Sequence, residues 1–122
     1  MKANRRLASL VLALTSAGAA NAQPVGPEFR VNSYTSFAQY NGAVTCDGNG
    51  NFVVVWSSGS YAPGGSQDGS RLGIYAQRYA ANGSPRGGEF RVSSYTTGNQ
   101  VLPSVASDQN GNFVVAWASA QD

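Results

Sequence analysis

The chain lacks histidine altogether, and it holds one cysteine and one lysine among its 122 residues. Each scarcity closes off chemistry. Without imidazole there is no Ser/His/Asp or Cys/His arrangement and no histidine metal site. The single lysine, Lys2, lies in a segment that reads as a cleaved leader, so no lysine nucleophile or Schiff base remains. With Cys46 alone, no internal disulfide can brace the fold. Cys46 reads as a small, largely buried strand residue or as half of an intermolecular disulfide, which an odd cysteine in an exported protein can form.

Long apolar runs are also missing, apart from a short one near the start. Lys2, Arg5 and Arg6 precede the apolar stretch from Leu7 to Leu14, and Ala20-Asn21-Ala22 offers the small residues of a signal-peptidase site. Residues 1–22 are therefore expected to be a signal peptide, with the mature chain starting at Gln23. The apolar stretch is too short to span a bilayer, and no later one replaces it, so no membrane span is expected after cleavage. The destination is export: periplasm, cell surface or medium.

Removing the leader reverses the charge. The formal +2 of the whole chain falls to one excess negative charge, because Arg30, Arg71, Arg78, Arg86 and Arg91 then face Glu28, Asp47, Asp68, Glu89, Asp108 and Asp122. Scattered arginines without lysine make no electrostatic footprint for nucleic acid or anionic lipid.

What the chain does have is a repeat. Glu28-Phe29-Arg30-Val31 returns 61 residues later as Glu89-Phe90-Arg91-Val92, and Asn51-Phe52-Val53-Val54-Val55-Trp56 returns at the same offset as Asn112-Phe113-Val114-Val115-Ala116-Trp117. Ser33-Tyr34-Thr35, Gln39, Val44, Asp47 and Asn49-Gly50 recur as well. Such a period means one supersecondary unit used repeatedly. Repeat 1 spans about 28–88 and a partial repeat 2 about 89–122, within a repeat region of 23–122. Cys46 is matched by Ser107, so the unit does not require a thiol.

Short β-branched and aromatic runs between Gly, Asn and Ser clusters predict an all-β chain. Four strands are expected per unit: Tyr40–Cys46 (again at 101–107), Asn51–Ser58 (again at 112–119), Gly73–Ala80, and Gly88–Ser94 (with a counterpart at 27–33). The second carries Phe52, Val54 and Trp56 on one face and Val53 and Val55 on the other, so it should be covered on both sides. The last alternates Phe90 and Val92 with Glu89 and Arg91, the pattern of a half-wet outer strand. Asn49-Gly50, Asn110-Gly111 and Asn82-Gly83 mark hairpin turns. Residues 59–72 form a long Gly-rich loop.

Asn51 to Ser58, Gln67-Asp68-Gly69, Gly73-Ile74-Tyr75-Ala76-Gln77-Arg78-Tyr79 and Gly88-Glu89-Phe90-Arg91-Val92 together resemble a tandem repeat of large bacterial secreted and cell-surface proteins. That repeat often accompanies calcium-binding or adhesion modules. The resemblance implies β-propeller-like repeats of four antiparallel strands, here incomplete: one full blade plus parts of two others. It implies no enzyme class. Blades left open would be completed by neighbouring repeats or by self-association, and the incompleteness fits a truncated product or an assembly of copies.

Candidate sites are few. Asp47, Asn49 and Asn51, with Asp108, Asn110 and Asn112, place oxygens at positions one, three and five as a calcium loop does. Ser58 and Ser119 stand where a calcium loop has its twelfth-position glutamate, and an Asp bonding its own backbone explains the same residues without metal. The expected cofactor is none, with calcium as the alternative. A glycosidase needs two facing carboxylates; Glu28, Asp47, Asp68, Glu89 and Asp108 are the candidates, and most sit at turn or outer-face positions. Trp56 and Trp117 read as packing. Tyr61, Gln67, Asp68 and Arg71 in the long loop are the first place to look for a surface glycan or protein ligand. The sequence thus describes an exported, non-catalytic binding or surface-interaction module, or a truncated piece of one. The alternative is a fragment of a secreted carbohydrate-active propeller enzyme.

Overall fold

A computed structural model describes residues 26–120. The leader expected at 1–22 lies outside the described residues. The chain divides at Val31/Asn32 into two units. The described part of the first, from Gly26 to Val31, has no regular secondary structure.

The second unit is all-β. β1 (Ala38–Cys46), β2 (Phe52–Gly59), β3 (Gly73–Tyr79) and β4 (Phe90–Arg91) form one antiparallel sheet in chain order, while β5 (Gln100–Ser107) and β6 (Phe113–Ser119) form a second. Neither sheet closes on itself. The long hairpins follow from β-branched runs flanking Asp-x-Asn-Gly-Asn turns. Gly50 and Gly111 take φ of 79° and 87°, whereas Asn49 and Asn110 stay out of the left-handed region. The turn therefore uses one left-handed residue, not the two of the tightest Asn-Gly hairpins.

The two long hairpins share their register. Cys46 pairs with Phe52 as Ser107 pairs with Phe113, and Ala43 with Val55 as Ser104 with Ala116. Both slip at the same place. Asn41-Gly42 stand against the single residue Trp56, and Leu102-Pro103 against Trp117. These are β-bulges, and they bend each hairpin next to its tryptophan.

The hairpins stack face to face. Val53, Val55 and Ala76 form the core cluster, and Val105, Phe113 and Val115 of the second hairpin pack against it, with Ala43 and Val92. Every residue of β2 is buried, as two apolar faces require. On its other face Phe52 stacks on Tyr79, ring centroids 4.9 Å apart and 15° from parallel. Repeat-equivalent β6 has no such cover: Val114 is 67% exposed where its counterpart Val53 is 8%. Leu102, 64% exposed, lies open on the same hairpin.

Three expectations need correction. The outer strand shrinks from 88–94 to Phe90–Arg91, because Val92 N and Ser93 N both donate to the Ile74 carbonyl and Ser93 Oγ accepts from Ile74 N. A side chain thus replaces the next ladder bond. The counterpart at 27–33 forms no strand. Phe90 and Arg91 owe theirs to Tyr75 and Ala76 of β3. Cys46 is exposed instead of buried, since it ends β1 beside the turn.

Candidate functional site

The turn ends of the two long hairpins lie side by side. Gly48 N donates to the Gln109 carbonyl at 3.2 Å, Thr45 Oγ1 and Ser107 Oγ are 2.8 Å apart, and Ser107 Oγ donates to the Cys46 carbonyl at 2.7 Å. Ser107 replaces the cysteine of the first hairpin with a hydroxyl that ties the two turns together.

Within each turn the aspartate is the organiser. Asp47 Oδ1 accepts from the amides of Asn49 and Asn51, at 2.8 and 2.9 Å, and Oδ2 from Asn51 Nδ2 at 2.8 Å. Asp108 repeats the set with Asn110 and Asn112. Both carboxyls are held below the usual Asp range, first by the Asn51 or Asn112 side chain and then by the backbone amides; at Asp47 the positive charge of Arg86 adds to this. Calcium takes six to eight oxygens. Each turn brings one carboxylate, and its oxygens accept from the amides and the asparagine side chain of its own loop. Among the described residues no group of three or more His, Cys, Asp or Glu side chains is gathered.

Beside these turns opens a polar cleft of about 360 Å³. Asp47, Asn49 and Asn51 line it from the first turn, and Ser107, Asn110 and Gly111 from the second. The third wall is the β3 end: Arg78, Tyr79 and Arg86. A tight turn brings that wall together, because Tyr79 bridges to Pro85 and Arg86 N donates to the Arg78 carbonyl at 2.8 Å. The Arg78 guanidinium carbon sits 6.0 Å from the Phe90 ring centroid, within cation–π reach. Among the described residues no carboxylate forms an ion pair with Arg78 or Arg86, and both are exposed.

The cleft arginines carried no signal in the motif reading. Their meeting follows from the turn that the structure centres on Asn82, four residues from each, where Tyr79 bridges to Pro85.

The long-loop residues are placed differently. Gln67 bridges inward, accepting from Ser58 Oγ at 3.4 Å and donating to Glu89 Oε1 at 2.7 Å. Asp68 Oδ1 accepts from Ser66 Oγ and from Ser70 N, and its Oδ2 is buried. Tyr61 is exposed beside Tyr40, ring centroids 6.1 Å apart. Arg71 lends its backbone: its carbonyl passes so close to Gly59 that a Cβ there would collide with it. Gln67 and Asp68 thus hold the loop in shape.

Glu89 is the residue the alternation misjudged. Instead of facing solvent as an outer-strand charge, its Oε2 accepts from Ser33 N and Ser33 Oγ, both at 2.8 Å, and from Tyr34 N at 3.4 Å. Glu89 therefore joins β4, the long loop and the segment leading into β1. Two buried phenols complete the electrostatics: Tyr75 and Tyr79 are both pushed up to about 12, chiefly by burial.

Comparison with family models, with curated proteins and with solved structures found no match, so the chemistry of the site rests on its geometry.

Proposed function

We propose that this chain is an exported, non-catalytic repeat protein whose four-stranded, propeller-like units form a binding or surface-interaction module. One observation carries the reading. The Val53/Val55 face of the first hairpin is covered by the Phe113/Val115 face of the second, while the equivalent Val114 face stays open. Stacking of one unit's second face on the next unit's first is the arrangement by which tandem blades bury apolar surface.

The carboxylates support a binding role over a catalytic one. Asp47 and Asp108 are engaged by their own turns, Asp68 by Ser66 and Ser70, and Glu89 by Ser33, Tyr34 and Gln67. Each one builds structure.

The test is to extend the chain by one further 61-residue unit. If units stack, the extended protein unfolds as one cooperative block, with a higher melting temperature and a larger denaturant slope. An added unit that melts separately and leaves the midpoint unchanged sinks the reading.

A further inference from the structure

We infer that the cleft between the two hairpin turns binds a carboxylate-bearing saccharide, with Arg78 and Arg86 holding the carboxylate and the turn amides holding hydroxyls. This rests on the reading of the chain as a binding module. It does not depend on how many units stack.

Charge comes first. In a chain with few cations, two arginines converge on one cleft, brought there by the Tyr79–Pro85 bridge and the Arg86-to-Arg78 backbone bond. Guanidinium groups present planar forks of N–H donors that match carboxylate oxygens. Neither arginine has an ion-pair partner among the described residues, so the donors are free to be used.

Asp47 then narrows the ligand. Its carboxylate lines the same cleft and stays ionised, because the hydrogen bonds of its own loop hold its pKa below the usual range. Two positive charges against one negative favour a single negative charge on the ligand. A dianion would meet repulsion from Asp47.

The remaining polar groups suit hydroxyls. Asn49 and Asn110 use their backbone amides on the turn aspartates, leaving side-chain amides that both donate and accept. Side chains that do both, one from each turn, are how a polyol is gripped without charge. The volume of about 360 Å³ lies at the small end of the range for small-molecule sites, which suits one or two sugar rings.

The experiment is calorimetric titration of the protein with galacturonate, a monoanion, at low salt, with neutral galactose and inorganic phosphate as comparators. Saturable galacturonate binding is expected, weakened about tenfold or more by Arg86→Gln and by Arg78→Gln. Asn110→Ala should weaken it too, with an unchanged melting temperature. Arg71→Gln, outside the cleft, should leave binding intact. Absence of saturable binding overturns the inference. So does equal affinity for phosphate, which marks a plain anion site, or equal affinity for galactose, which removes the arginines' role. Any of these outcomes beside a stabilising added unit overturns the cleft alone and leaves the module reading standing.

Discussion

Asn41 and Leu102 occupy the same position in hairpins 61 residues apart, and both are left-handed, with φ of 52° and 56°. Each begins the bulge opposite a tryptophan. Asparagine tolerates that backbone; leucine pays for it without recompense, since Leu102 is exposed. Leu102→Asn should raise stability by roughly 0.5–1 kcal/mol and Asn41→Leu should lower it by a similar amount. Urea midpoints decide it: a neutral Leu102→Asn means the bulge is relaxed in solution.

Val53 and Val114 offer the same test for packing. Truncating the buried one, Val53→Ala, should cost about 1–2 kcal/mol, and Val114→Ala less than about 0.5 kcal/mol. Equal costs in chemical denaturation would show that the Val114 face is covered in solution.

Glu89→Ala removes the acceptor shared by Ser33, Tyr34 and Gln67. A loss of about 1–2 kcal/mol is expected, with faster amide exchange at Ser33. Unchanged exchange there would reduce Glu89 to a surface charge.

Acid should destabilise the protein through its turns. Asp47 and Asp108 are more acidic folded than unfolded. Their contribution is therefore complete above the unfolded value, near 4, and disappears as pH falls through the lower folded values. Thermal melts from pH 6 down to pH 2 should show the loss, and the double variant Asp47→Asn, Asp108→Asn should flatten the curve in that window. An unaltered slope in the variant would show that other groups drive acid unfolding.

Alkali acts in the opposite sense. Tyr75 and Tyr79 titrate at about 12 when folded, against about 10 unfolded. Their contribution is full below pH 10 and is lost as pH rises towards 12. Absorbance at the tyrosinate band should show two phenols resisting ionisation until the chain unfolds. Complete titration by pH 10.5 with the fold intact would place both rings in contact with water.

Much of this architecture was legible in the residues. The all-β class, the shared hairpin turns and the double burial of β2 follow from local signals: alternation, Asn-Gly turns and apolar residues on both faces of one strand. The outer strand was not, because its length depends on whether an edge lies ready to receive it. Glu89 was misjudged for a related reason. Alternation assigns a face, and only the chain folding back past residues 33 and 34 decides whether that face is wet.

The candidate cleft divides in the same way. Sequence alone fixed the two Asp-x-Asn-Gly-Asn turns, since their bonds run between residues two and four apart. The pairing of Arg78 with Arg86 was not legible there, because the Asn82-Gly83 turn leaves the register open until Tyr79 bridges to Pro85. Tertiary structure decided that the turns of two hairpins stand beside those arginines, because Val53 and Val55 could leave water only under Phe113 and Val115. Hydrogen bonds between near residues are written in local order, whereas burial is non-directional and is settled only by what the rest of the chain brings to cover it.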